Sequence, residues 1–217
     1  MIWDKMAGVY DIFENVYNGK VYSMTGKTVA KEIDRNDIVL ECACGTGAVS
    51  VYIAPECRKL IATDISPGML RHTARKTKGF SSVIVRRADM THLNCRSNSF
   101  DKVVAGNVIH LLDDPEAAVR ELMRVCKPGG KVIIPTYINN EGTQQRRAVS
   151  LIKMLGVDFK RQFDLKTYKE FFLNAGYSDA VYHVVSGRMP CAVAVITKQT
   201  TASPSCGNDV IKEEGKL

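Results

Sequence analysis

Four polar residues stand where short apolar runs end: Glu41, Asp64, Asp89 and Asn107. The runs are Ile38-Val39-Leu40, Leu60-Ile61-Ala62-Thr63, Val83-Ile84-Val85 and Phe100 to Ala105, each the length of a buried strand. Polar residues at the carboxyl ends of parallel strands converge on one crevice, where open α/β sheets bind ligands. Between Glu41 and the next helix lie Cys42-Ala43-Cys44-Gly45-Thr46-Gly47, small residues that let backbone come close to a ligand. A nucleotide fits such a turn. Asp64 follows Glu41 by 23 residues, near the offset of roughly 20 at which a carboxylate takes ribose hydroxyls. An aspartate can instead cap a helix, but Ser66 already occupies that position.

Glu41 narrows the class of nucleotide. A dinucleotide turn calls for G-x-G-x-x-G, whereas Gly45-Thr46-Gly47-Ala48-Val49-Ser50 puts serine in the third place. A carboxylate just before the glycines repels a pyrophosphate at the helix N-terminus. It suits a ligand with a positive end and no phosphates. S-adenosylmethionine, with a sulfonium, an ammonium and a ribose diol, is such a ligand. An NAD-binding Rossmann protein is the competing reading.

The elements that must position these residues follow from pattern and punctuation. Tyr10, Phe13, Tyr17 and Tyr22 fall at helical spacing and predict one or two helices across residues 4–34. A helix is expected from Ala48 to Ala54, stopped by Pro55, and another over residues 67–77, with Ser66 as N-cap and Pro67 first. Asp114 and Pro115 start a third that runs to about Cys126 and ends at Lys127-Pro128-Gly129-Gly130. Lys131 to Tyr137 reads as a fifth strand. Thr167 to Ala175 reads as a helix with Gly176 as its C-cap. Val181–Ser186 and Ala192–Thr197 close the fold as an antiparallel hairpin around Gly187 and Pro190. Strands alternating with helices of about ten residues make βαβ units with right-handed crossovers. The expected fold is α/β: a Rossmann-like, seven-stranded, mostly parallel sheet with helices on both faces and a C-terminal antiparallel hairpin. Residues 1–35 are expected to form a helical lid and 36–198 the main domain, with a basic substrate-cap insertion at 141–165. The polar tail 199–217 is expected to be disordered.

Composition agrees with one globular domain. The 217 residues are 45% hydrophobic and 24% charged, which excludes collagen, coiled coil and wholesale disorder. No run of 18 apolar residues occurs, and Asp4 and Asp11 interrupt the N-terminus, so neither a membrane span nor a secretory signal is expected. Seven cysteines, an odd number, read as free thiols in a reducing cytoplasm. The net charge of +7 includes a run from Arg71 through Arg75, Lys76, Lys78, Arg86 and Arg87 that reaches Asp89 before meeting an acid. A solvated helix face and strand end explain that run; contact with RNA is the alternative.

Taken in order, these pieces resemble a class I S-adenosylmethionine-dependent methyltransferase, in particular the ubiquinone/menaquinone C-methyltransferase-like group. The resemblance rests on Val39-Leu40-Glu41-Cys42-Ala43-Cys44-Gly45-Thr46-Gly47, Asp64-Ile65-Ser66-Pro67-Gly68-Met69-Leu70, Ala88-Asp89-Met90, Ser99 to Val104 and Glu121 to Gly130. It spans about residues 36 to 137, and Ala7-Gly8-Val9-Tyr10-Asp11 looks like the family's entry segment. It implies that Glu41 and the loop Ala43, Gly45 and Gly47 hold the methionine moiety and that Asp64 takes the ribose hydroxyls. Ile65 and Met69 would flank the adenine. Asp89 would accept from its amino group with Met90 behind, Asn107 would reach the methionine end through its backbone, and Tyr10 would close the site from above.

A sulfonium carries its own leaving group, so the protein must supply alignment and water exclusion. His110, three residues past Asn107, is the candidate general base, with a packed histidine as the plain alternative. Tyr10, His110 and Tyr137 are the candidate substrate contacts. The stretch Gly106-Asn107-Val108-Ile109-His110-Leu111 lacks the Asn/Asp-Pro-Pro-aromatic pattern of base-amine methyltransferases, which disfavours nucleic acid. A small-molecule acceptor is expected: quinone-like, a thiol or an acidic metabolite. Cys42, Cys44 and Cys57 do not have zinc spacing, so no metal is expected. Thiolate capture of arsenite is an alternative that would need two or three of them to converge.

Overall fold

The computed structural model describes residues 18–139 and 160–200. Its elements, in chain order, are α1 (Gly19–Ala30), β1 (Ile38–Cys42), α2 (Ser50–Ile53), β2 (Lys59–Asp64), α3 (Pro67–Lys76), β3 (Val83–Arg87) and β4 (Phe100–Ala105). A 3-10 turn at Ile109–Leu111 precedes α4 (Pro115–Val125), β5 (Cys126–Tyr137), α5 (Leu165–Asn174), β6 (Val181–Val185) and β7 (Cys191–Thr197).

The seven strands form one sheet in the order β3-β2-β1-β4-β5-β7-β6. The first five are mutually parallel, and β7 runs antiparallel to both β5 and β6. The chain winds outward from β1 through β2 to β3, then returns to β4 on the other side of β1. The gap between β1 and β4 is therefore the switch point, and the crevice at its carboxyl end is where a ligand belongs. The expected fold is the observed one.

Successive apolar residues in the central strands point to opposite faces, as the two-residue period requires. Leu40, Val103 and Ile134 join Leu122, Tyr168 and Phe172 in one core. Val39, Val104 and Ile133 join Val29, Ile53 and Leu60 in the other. Both faces are covered, which is why these strands read as continuous apolar runs.

Local signals set several boundaries. Ser66 Oγ accepts from Met69 N at 3.2 Å, with Pro67 in the first turn. Asp114 Oδ1 accepts from Ala117 N at 2.8 Å, with Pro115 in the first turn. Asp164 and Thr167 form a capping box, so α5 starts two residues earlier than expected.

Other boundaries differ for tertiary reasons. The helix expected at Ala48–Ala54 is only Ser50–Ile53, because the glycine turn extends to Val49. The fifth strand begins at Cys126, not Lys131. Phe100 pairs with Cys126, Gly129 N–H donates to Lys198 O and Lys198 N–H donates to Gly130 O, both at 2.8 Å. A Cβ on Gly130 would stand 2.6 Å from Asp101 O, so only glycine lets the two chains approach there. Pro-Gly-Gly reads locally as a stop, yet the returning chain offers it ladder partners.

Within the expected lid, α1 lies against the sheet and α2. A Cβ on Gly26 would run into the Tyr52 ring. Asn18 Nδ2 donates to Met189 O at 3.0 Å, tying the start of α1 to the turn before β7. Most of the expected 141–165 insertion and the tail beyond Thr200 lie outside the described residues.

Candidate functional site

A cavity of about 240 Å³ opens at the carboxyl ends of β1, β2 and β4. Its described lining includes the carboxylates Glu41 and Asp64 but no lysine, arginine or histidine. Ala43, Gly45, Ile65, Met69 and Asn107 also line it, so seven of the residues expected at the cofactor meet in one place.

The turn after β1 is held in an unusual backbone shape. Gly45 and Gly47 have φ of +55° and +82°, and Ala43 has φ of +51°. An alanine in that region costs about 1–2 kcal/mol, so its surroundings must enforce it. Asn107 is likewise at φ +52°. Its N–H donates to Pro135 O at 2.7 Å and its Oδ1 accepts from Tyr137 N at 3.0 Å, clamping the turn after β4 to β5. Gly47 stands behind the cavity wall, where a Cβ would come within 3.1 Å of Thr73 Cα.

The two carboxylates sit differently. Glu41 is 2% exposed, and Ser50 Oγ donates to its Oε2 at 2.6 Å. Burial pushes its pKa up to about 8 against the lowering effect of that hydrogen bond, and the nearby Asp64 charge pushes the same way as burial. Burial therefore favours the protonated form of Glu41. Asp64 is 8% exposed; its Oδ2 accepts from Gly45 N and its Oδ1 from Ser66 N, both at 2.9 Å. Each carboxylate oxygen has two acceptor positions, so Asp64 can order the turn and also accept from a diol.

The remaining expected residues lie elsewhere. Asp89 is exposed, and its Oδ1 accepts from Thr91 N at 2.9 Å and Thr91 Oγ1 at 2.7 Å. Met90 is buried in the core below it. Neither is among the described lining of the cavity. His110 is 7% exposed and outside that lining. Burial lowers its pKa to about 4, which leaves the imidazole neutral and weakly basic. That placement suits a packed histidine better than a general base. Tyr137 stands beside the lining, not in it, and meets Tyr22 edge to face with ring centroids 5.7 Å apart. Tyr10 lies outside the described residues.

Sequence reasoning did not assign Tyr22 to the site, although it noted the aromatic spacing of that segment. Tyr22 lines the cavity from α1, joined by Val108, Leu111 and Leu112 from the chain after β4. The apolar character of 108–112 was the available signal for a cavity wall. Cys42, Cys44 and Cys57 are buried, with thiol pKa values raised by desolvation, to about 12 for Cys42 and about 11 for Cys57. Among the described residues no group of three His, Cys, Asp or Glu side chains could hold a metal ion.

Two buried acids without a lining base, set in an otherwise mostly apolar cavity, fit a cationic nucleoside and not a pyrophosphate. Residues 40–134 match the family described as a methyltransferase domain. Over those residues the chain is thus similar to a methyltransferase domain, a class whose members use S-adenosylmethionine as cofactor. Its relatives include phosphoethanolamine N-methyltransferase 1 of Triticum aestivum, 31% identical over 178 residues, covering 78% of this chain and 35% of that one. Demethylmenaquinone methyltransferase of Clavibacter sepedonicus is 35% identical over 137 residues, covering 61% and 55%. The chain spans about a third of the first protein's length and about half of the second's. A crystal structure of a SAM-dependent methyltransferase from Thermotoga maritima shares the fold, with a TM-score of 0.70 at 20% identity, covering 91% of this chain and 98% of that one.

Proposed function

We propose that this chain transfers the methyl group of S-adenosylmethionine to a small-molecule acceptor. The observation that carries the reading is the switch-point cavity, with Glu41 and Asp64 in its wall and no basic side chain in its described lining. Bound there, S-adenosylmethionine supplies an electrophilic methyl on a sulfonium, so the protein need not form a covalent bond itself.

The protein residues then bind, orient and exclude water. Glu41 balances the ammonium and Asp64 accepts from the ribose hydroxyls. Ile65 and Met69 form an apolar slot for the adenine. Asp89, turned onto Thr91, and Met90, packed in the core, support the adenine end from outside the cavity lining in this reading. Tyr22, Val108, Leu111 and Leu112 keep water from the reacting end. His110, buried and weakly basic, supports the turn after β4 by packing, and an acceptor that is already nucleophilic needs no base.

The names of the relatives suggest two acceptor classes, an amine and a quinone ring. Tyr22, backed edge to face by Tyr137, gives an aromatic wall that suits either a flat ring or a cation. A cytoplasmic setting agrees with the six described cysteines being free thiols, and no described helix is long and apolar enough to cross a membrane. The high thiol pKa values weigh against thiolate capture of arsenite.

Calorimetric titration with S-adenosylmethionine, S-adenosylhomocysteine and NAD tests the cofactor first. Binding of the adenosyl ligands alone is expected; binding of NAD alone would overturn the reading. Transfer of labelled methyl to amine and quinone acceptors then assigns the substrate. A steep loss of RNA binding with salt, together with RNA labelling, would replace it with the nucleic-acid alternative.

A further inference from the structure

Gly45 is pinned at both of its backbone polar atoms by side chains from different elements. Its N–H donates to Asp64 Oδ2 at 2.9 Å, and its carbonyl accepts from Thr73 Oγ1 at 2.7 Å. Thr73 is fully buried on α3 and faces the glycine turn. It has one hydroxyl proton, and that proton is spent on Gly45. The Cys44 thiol lies 3.6 Å from Thr73 Oγ1 and 3.9 Å from the Gly45 carbonyl, and its one proton can go to either. The result is a linked chain of the Cys44 thiol, the Thr73 hydroxyl and the Gly45 carbonyl, in which the Thr73 bond is the short one.

The chain matters because of what glycine permits. At φ +55° Gly45 has no Cβ to resist rotation of its neighbouring peptide planes. In a trans peptide the carbonyl and the following N–H point in opposite directions. Capturing the Gly45 carbonyl on α3 therefore turns the Thr46 N–H away from that helix. It also removes a carbonyl dipole from the loop face that meets the cofactor. Gly45 and Thr46 both line the cavity, so the orientation of this one peptide helps decide what the loop offers an anionic carboxylate.

We infer that Thr73, which does not line the cavity itself, is a positioning residue for the cofactor: its hydroxyl selects the orientation of the Gly45–Thr46 peptide that the cofactor requires. This rests on the proposed cofactor reading. Nothing about Thr73 in the sequence singles it out, since a threonine inside a helix is ordinarily a packing residue.

The test compares the unsubstituted protein with Thr73→Val, which keeps the shape and removes the hydroxyl, and Thr73→Ser, which keeps the hydroxyl. Affinity for S-adenosylhomocysteine is read by calorimetry. Thr73→Val should weaken binding about three- to ten-fold, the equilibrium weight of one neutral hydrogen bond. Thr73→Ser should bind within about two-fold of the unsubstituted protein, since it retains that bond. The KM for the cofactor should rise in Thr73→Val while kcat at saturation holds. Equal affinity in Thr73→Val and the unsubstituted protein would overturn the inference and leave the cofactor reading standing. Equal weakening in Thr73→Val and Thr73→Ser would assign the effect to packing and also overturn it. Absence of binding by the unsubstituted protein would overturn both. If the valine protein does not fold, Thr73→Ala against Thr73→Ser provides the same comparison.

Discussion

Ser50 Oγ donates a 2.6 Å hydrogen bond to Glu41 Oε2 at the floor of the cavity, and both side chains are almost wholly buried. The bond opposes the burial that holds the Glu41 pKa at about 8. A raised native pKa means that the folded protein keeps a proton which the unfolded chain releases. Stability of the ligand-free protein should therefore fall as pH rises from about 4.5 to about 8, then level off. Glu41→Gln should remove that slope. Urea midpoints at pH 5 and pH 8 check this, and parallel pH profiles for the two proteins would refute the assignment.

The same proton should leave when a cation binds. At pH 7, S-adenosylmethionine binding should release close to one proton per site, because the ammonium favours ionised Glu41. Calorimetry in buffers of different ionisation enthalpy measures the number directly. Glu41→Gln should abolish the release. Ser50→Ala should weaken binding at pH 7 more than at pH 9, since loss of the bond makes Glu41 harder to ionise.

Asp64→Ala should lower cofactor affinity about ten- to a hundred-fold, the range expected for hydrogen bonds to a charged group. It should also cost about 1–3 kcal/mol of stability, because the Gly45 and Ser66 N–H groups lose their acceptor. Unchanged affinity for S-adenosylhomocysteine would remove Asp64 from the ribose role.

Tyr22→Ala should raise the KM for the acceptor while leaving S-adenosylhomocysteine affinity within about three-fold, because the lost contact is one apolar cavity wall. Tyr22→Phe should behave like the unsubstituted protein if the ring, and not its hydroxyl, forms that wall. A loss confined to cofactor binding would move Tyr22 to the adenosyl side.

His110→Leu should leave the pH dependence of kcat between pH 5 and 8 unchanged and lower the melting temperature. Disappearance of a titration in that profile would restore His110 as the base.

Gly26→Ala should destabilise the fold by about 1–3 kcal/mol, the usual cost of overpacking. The new methyl would enter the Tyr52 ring. Thermal unfolding measures the change. A neutral effect would mean that α1 can shift on α2 without consequence.

Much of the fold was legible because its signals are local. Asp114-Pro115 and Ser66-Pro67 start helices through backbone capping, which needs no distant partner. The apolar runs at 38–40, 60–63 and 100–105 announce strands buried on both faces. Glu41, Asp64 and Asn107 were legible as one site because parallel strands carry their carboxyl ends to the same edge. Asp89 followed the same rule, yet it turns back onto Thr91, because a side chain after the end of an edge strand has local partners that compete.

The strand–helix alternation, the glycine turn and the two acids that flank it depend on residue type and spacing, so they could be read from the chain before it folds. Which groups face the cavity, and which charge state burial favours there, followed from packing. Burial makes Glu41 hold a proton and His110 shed one. Lys198 extends β5 back through Pro128-Gly129-Gly130, and packing of α1 brings Tyr22 to the cavity. Each of these depends on a neighbour distant in the chain, and desolvation and close approach exist only once the chain has folded.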